Sequence, residues 1–131
     1  MSQFKTLLHT EAMVGQDGLP LCNRDGRRLF LLLAPLVYFS DKYGEVTVPT
    51  GFVTDFGSVP RIPVVFDLLG ELDYEPYVIH DALYTALFDF DRDICDLILV
   101  EALVSHGVST WKAGMIYRGV RRGGESHFRK P

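Results

Sequence analysis

Apolar and polar positions divide the chain into two halves with different periods. In the first half, short apolar runs are separated by turn residues. "NRDGRR" sets Asp25-Gly26 between two strand-like runs, a strong hairpin signal because glycine adopts the positive φ such a turn needs. The next run, "RLFLLLAPLVYF", is apolar on both faces and predicts a central strand that bends at Pro35. "SDKYG" marks a second turn, and "EVTVPTGF" alternates like a half-buried strand. Together these segments predict a small antiparallel sheet of three or four strands over about residues 10–53.

The second half changes period. "TDFGSVPRIP" holds too much Gly, Ser and Pro for regular structure throughout, which predicts a functional loop over about residues 54–63. Pro63 is placed to open one short helix as far as Gly70. Three longer helices are expected over about residues 74–122, followed by a basic tail at 123–131. They run from Tyr74 to Phe88, from Arg92 to His106, and from near Ser109 to just before Gly123-Gly124. Asp91 and Gly107 bound the second of them. Trp111, Met115, Ile116 and Val120 recur at helical spacing and are expected to pack the third helix on the core. The expected fold class is α+β, a small antiparallel sheet packed with a C-terminal bundle of three helices in a single domain.

The first two helices lack the polar stripe of a surface helix. Between Tyr77 and Phe88 the strongly polar side chains are His80, Asp81 and Thr85, and in "ICDLILVEALV" only Asp96 and Glu101 are charged. Both helices should therefore be largely enclosed. Their polar groups need partners or a cleft, because burying one unpaired costs roughly 1–3 kcal/mol. The short link "DFD" makes the two helices antiparallel neighbours. Counting outward from Phe90 sets Asp96 opposite Tyr84, with His80 one turn, about 6 Å, further along. Arg92 lies four residues before Asp96 and could clamp it. Asp55 stands where the sheet hands over to the helices, and Arg61 is the only base between Lys42 and Arg92, placed to hold an anion or one of the acids.

Composition narrows the class without naming a function. Apolar residues make up 47% and charged residues 23% of the 131, a globular balance rather than a disordered one. The longest apolar run, Leu29 to Phe39, is too short for a membrane span and is broken by Pro35. The N-terminus has no charged lead before an apolar block, so no signal peptide is expected. Two cysteines, Cys22 and Cys95, without a Cys-x-x-Cys, argue against a thiolate zinc site or a disulfide framework, and Cys95 reads as a small core residue. The net charge of −4 is uneven: ten acids face Arg92 alone between Asp67 and Glu101. Such a surface repels nucleic acid. The arginines of "RGVRRGG" read as solvated charges that complement a helix C-terminus.

Four blocks, "VPTGFVTDFGSVPR", "HDALY", "RDICDLILVEAL" and "YRGVRRGG", resemble in order a family of small phage and prophage proteins catalogued as a domain of unknown function, family 1353. The family pattern has a Gly-Phe-x-Thr-Asp-Phe-x-Ser-x-Pro-Arg block, a His-Asp-x-Leu-Tyr block, an Arg-x-x-x-Asp helix and a Tyr-x-x-Val-Arg ending. The likeness runs from about Leu29 to Gly124 and singles out Thr54, Asp55, Ser58, Pro60, Arg61, His80, Asp81, Tyr84, Arg92 and Asp96. Gly57 stands where the family commonly has alanine, and "GGESHF" lacks the tryptophan expected there. The resemblance implies a phage or prophage origin and no settled activity. "HDALY" with "CD" on the next helix is also similar to the catalytic helix pair of secreted phospholipases A2. That likeness would make His80 the general base, Asp96 its orienting partner and Asp81 a metal ligand. The glycine- and cysteine-rich calcium loop and the disulfides are missing, so it is an analogy of a few residues.

The expected site is hydrolytic, built from His80, Asp81, Asp96, Asp55, Arg61 and Tyr84. His80, Asp81 and Asp55 could hold one divalent ion such as zinc or manganese and lower the pKa of its water. Without a metal, His80 oriented by Asp96 could serve as general base, with Arg61 or Tyr84 stabilising developing negative charge. The alternative is a buried network that fixes how the loop docks on the helices. Taken with the phage resemblance, the expected function is a small phage-encoded hydrolase, with or without a metal, acting in lysis or at the virion–cell-wall stage, with a cell-wall polymer as a candidate substrate. The competing expectation is a non-enzymatic tail or baseplate component whose partners are other virion proteins. Either would be made in the host cytoplasm and could then associate with the particle.

Overall fold

Pro35 turns one expected strand into two. In the computed structural model, which describes residues 1–56 and 74–129, the first half forms six short strands: β1 (Gln3–Phe4), β2 (Thr10–Ala12), β3 (Phe30–Leu32), β4 (Leu36–Ser40), β5 (Gly44–Val48) and β6 (Val53–Thr54). They make two three-stranded antiparallel sheets, ordered β1-β4-β5 and β2-β3-β6. The apolar run therefore feeds one sheet before Pro35 and the other after it, rather than bending within a single sheet. Proline has no N–H to continue a ladder. The Thr6 hydroxyl repairs the break, donating to the Pro35 carbonyl at 3.2 Å and accepting the Val37 N–H at 2.9 Å. The first strand lies ahead of the expected sheet, since only two of its residues pair: Gln3 with Phe39 and Phe4 with Tyr38.

The expected hairpin at Asp25-Gly26 is present, with Gly26 at φ 78°. Asn23 organises it, its Oδ1 accepting the N–H groups of Asp25 and Arg27 at 3.0 Å each. In the β4–β5 hairpin, period-two alternation buries Leu36, Tyr38, Val46 and Val48 and leaves Phe39, Glu45 and Thr47 outside.

The helices are α1 (Tyr74–Leu83), α2 (Arg92–Ser105) and α3 (Thr110–Gly123). The first ends five residues before Phe88 because Thr85 turns back on it. Its hydroxyl and its N–H both donate to the Ala82 carbonyl, at 2.6 and 3.0 Å. The second ends where expected, with Gly107 at φ 100° taking the left-handed position that closes a helix. The short helix expected from Pro63 to Gly70 lies outside the described residues. Packing runs α1 to α2 and α2 to α3, with β4 against both α1 and α2. The core joins Leu32, Leu36 and Val48 to Ile79, Leu83, Ile98, Leu99, Leu103 and Ile116. Trp111 is 55% exposed rather than buried. The core face of α3 runs through Ala113, Ile116 and Val120, and Trp111 sits two residues, about 200° of helix, away from Ala113. Cys95 is buried in the core, where burial pushes its thiol up to about 12. Among the described residues no helix is long and apolar enough to cross a membrane.

One polar contact ties sheet to helix across the core. The Tyr38 hydroxyl donates to Glu101 Oε1 at 2.6 Å, while the Tyr38 ring packs on Phe4 at 4.9 Å. Tyr38→Phe removes the donor and leaves a half-buried carboxylate short of a partner. The expected loss is about 1–2 kcal/mol in urea unfolding, with an unchanged m-value; an unaltered midpoint would show that the contact contributes nothing.

Candidate active site

Asp96 on α2, the one fully buried carboxylate among the described residues, ties α2 to side chains from α1 and α3. Its Oδ1 accepts the Tyr84 hydroxyl at 2.5 Å and His80 Nε2 at 2.8 Å, and its Oδ2 accepts Arg121 Nη1 at 2.8 Å. His80 lies on α1 and Tyr84 just past its end, four residues apart. This spacing brings their rings to 4.2 Å in a tilted contact and aims both at α2. Arg121, in the last turn of α3, also reaches Asp93 Oδ1 at 2.9 Å, one turn before Asp96.

Two arginines exchange the roles the sequence suggested. Arg92 does not clamp Asp96. Its Nη2 donates to the carbonyls of Val120 and Arg121, both at 2.9 Å, and its Nε to the Tyr84 hydroxyl at 3.3 Å. It thereby caps the C-terminus of α3, where orphan carbonyls and the helix dipole favour a cation. Arg121, read from composition as a solvated helix-end charge, is the residue that clamps Asp96. The signal was available: it is the final arginine of the Tyr-x-x-Val-Arg ending, one turn after Tyr117.

The protonation states follow from the contacts. Burial alone would raise the Asp96 carboxyl, but the hydrogen bonds from His80, Tyr84 and Arg121 outweigh it and hold the group below its ordinary 3.8. Burial lowers His80 below its ordinary 6.5, overriding the pull of Asp96 towards the charged form. At neutral pH the pair is a carboxylate with a neutral imidazole. An ionised carboxylate only accepts, so the ring proton sits on Nε2 and the lone pair on Nδ1. Burial and the bond to Asp96 push the Tyr84 hydroxyl far above its usual range, so it stays a donor.

Asp81 and Asp55 belong to a second cluster. Asp81 Oδ2 accepts the Thr54 hydroxyl at 2.8 Å, and its carboxylate also takes the Asp55 backbone N–H. The Asp55 side chain accepts Asn23 Nδ2 at 2.9 Å. Phe56 follows at φ 66°, in the left-handed region, with its N–H on the Thr54 hydroxyl and its ring between Phe30 and Tyr74. These contacts dock β6 on α1. Burial and the neighbouring Asp55 carboxylate push Asp81 up to about 6. Among the described residues no three His, Cys, Asp or Glu side chains are placed to hold a metal ion. The expected set of His80, Asp81 and Asp55 is not assembled there: His80 Nε2 faces Asp96, and Asp81, about 100° around the helix, faces Thr54. Ser58, Pro60 and Arg61 lie outside the described residues.

The segment after α3 closes over this region instead of trailing into solvent. Gly124 is buried where a Cβ would stand 2.6 Å from the Val120 carbonyl oxygen and 2.8 Å from the Tyr84 hydroxyl. A 3-10 turn (Glu125–His127) follows. Phe128 then sets its ring edge 5.1 Å from Tyr84, and Arg129 donates its N–H to the Tyr84 carbonyl at 2.6 Å and Nη2 to the Phe90 carbonyl at 2.5 Å.

Two outcomes test this arrangement. Gly124→Ala forces Tyr84 or the helix end to move, at an expected cost of about 1–3 kcal/mol by chemical denaturation; wild-type stability would mean the closure is loose. Asp81 has a folded pKa above its unfolded value, so the stability it supplies is full below 3.8 and is lost as pH rises through about 6. Asp81→Asn keeps the acceptor for Thr54 and removes the charge. Its melting temperature should overtake that of the wild type on going from about pH 5 to about pH 7.5, and a variant that is less stable at both would mean the charge itself is needed.

No curated protein and no solved structure matches the chain. A family model does, over residues 30–120, from β3 to the residue before Arg121. It spans His80, Tyr84, Arg92 and Asp96 together with the Thr54–Asp81 contact, and it covers well over half of the sequence. The chain belongs to the family described as a protein of unknown function (DUF1353).

Proposed function

We propose that this protein is a small hydrolase whose general base is His80, oriented by Asp96. The observation that carries this reading is the 2.8 Å bond from His80 Nε2 to a buried carboxylate, which leaves the Nδ1 lone pair free of that bond. The His80 side chain keeps 11% exposure, whereas that of Asp96 has none, so of the two the imidazole lies nearer the surface. In this reading Nδ1 takes a proton from water as the water attacks an ester or amide carbonyl. The other ring proton stays on Nε2, hydrogen-bonded to Asp96, whose charge stabilises the imidazolium that forms. Tyr84 and Arg121 keep that carboxylate still. No metal enters the scheme. The phage or prophage setting implied by the sequence blocks makes cell-wall polymers the first substrate class to test.

A second reading, a non-enzymatic virion component, is favoured by one observation. The groups around Asp96 also join α1, α2, α3 and the closing segment, which is what an architectural network would do.

The readings separate in one experiment. The full chain, His80→Gln and Asp96→Asn are assayed on peptidoglycan and on chromogenic esters, with melting temperatures in parallel. The hydrolase reading expects turnover that falls by about 10²-fold or more in His80→Gln while the fold is kept. A His80→Gln protein that differs from wild type only by a lowered melting temperature, with equal signal on every substrate, selects the virion component.

A further inference from the structure

Asp96 would hold a neutral histidine poorly if it were the only charge nearby. A bare buried carboxylate beside an imidazole draws a proton onto the ring, because the ion pair is better than a lone buried charge. Burial is the first cause that holds His80 below its ordinary value, against the pull of Asp96, and the charged groups packed around the pair bear on how strong that pull is. Its own helix presents Asp81, turned to Thr54, and just past the helix end stands Tyr84, a neutral donor to the same carboxylate oxygen. From α2 come Asp96 itself and Arg92, whose positive charge also disfavours a proton on His80. From α3 comes Arg121, in direct contact with the other oxygen of Asp96.

We infer that Arg121 is a positioning residue for His80, compensating the charge of Asp96 so that the carboxylate orients the imidazole without protonating it. His80, Asp96 and Arg121 then form a chain across three helices: base, orienting acid and charge-balancing cation. The placement of Arg121 supports this over a plain surface ion pair. Its guanidinium spans Asp93 and Asp96 one turn apart, which fixes the plane of the group, and Arg92 holds the Arg121 carbonyl. A lysine could supply the charge but not both contacts in this geometry. The catalytic meaning of the inference rests on His80 being the base; its test needs no turnover.

The test is ¹⁵N NMR of the imidazole rings in the full chain, read for the tautomer and titration midpoint of His80, with His80→Gln identifying its signals. The wild type should show a neutral ring with the proton on Nε2 at pH 7. Arg121→Met should raise the midpoint by about one pH unit or more, because the cation in direct contact with Asp96 is then gone. Arg121→Gln, which keeps a donor for Asp96 without the cation, covers the case in which the Met variant does not fold, and should also raise it. Arg121→Lys, which keeps the charge, should stay within a few tenths of a unit of wild type. Equal midpoints in the wild type and the neutral variants, or a Lys variant shifted as far as Gln, would overturn the inference. Neither result depends on hydrolysis, so a failed assay and a failed titration tell against different statements.

Discussion

An ionised carboxylate at the centre of the helical layer sets the terms for everything around it. Removing such a group from water costs several kcal/mol, and the cost is met only where its lone pairs are filled with good geometry. Asp96 has three side-chain donors, from His80, Tyr84 and Arg121, and each enters from a different position along the chain. Satisfying this one group therefore fixes the separation of α1 and α2 and the register of the last turn of α3. It also fixes the path of the segment beyond Gly124, since Tyr84 meets Asp96 with its hydroxyl, Phe128 with its ring and Arg129 with its carbonyl.

The same constraint gives the molecule two polar clusters with opposite responses to acid. His80 and Asp96 have folded pKa values below their unfolded ones, so their stabilisation is present above the unfolded values and is lost as pH falls. Asp81 is raised, so its contribution is lost as pH rises. The windows of His80 and Asp81 overlap below neutrality and partly cancel. A flat pH profile of the intact protein would thus conceal two titrations that substitution separates. The sheet half supports the second cluster, where Thr54 of β6 and Asn23 of the hairpin turn hold the carboxylates of Asp81 and Asp55, while Tyr38 of β4 anchors α2 through Glu101.

Much of this was legible in the sequence, and the rest failed for identifiable reasons. Helical spacing and the short link before α2 were enough to bring His80, Tyr84 and Asp96 together, because antiparallel neighbours fix which residues face one another. The α+β class followed from the change of period near residue 54. The two-sheet division was hidden, since an apolar run looks the same whether it stays in one sheet or crosses to a second at Pro35. Helical spacing groups Trp111 with Met115, Ile116 and Val120, but its angular position relative to Ala113 and Ile116 faces it outward. Arg121 was missed because a basic helix end has a sufficient local explanation in the dipole. Only the packing of α3 on α2 shows that it reaches an acid 25 residues away. Among the described residues His80 and Asp81 turn to different partners, Asp96 and Thr54, because adjacent positions on a helix point about 100° apart.

The orientation and tautomer of His80 depend on Asp96 being charged in the folded protein. Its carboxyl ¹³C signal, followed from neutral pH downward in the full chain, measures that directly. The account predicts no titration until the pH is well below the ordinary carboxylate value of 3.8, with loss of the native spectrum accompanying protonation. A midpoint at or above 3.8 with the fold intact would mean that Asp96 is an ordinary or a protonated buried acid. It would then neither fix the tautomer of His80 nor hold the three helices together.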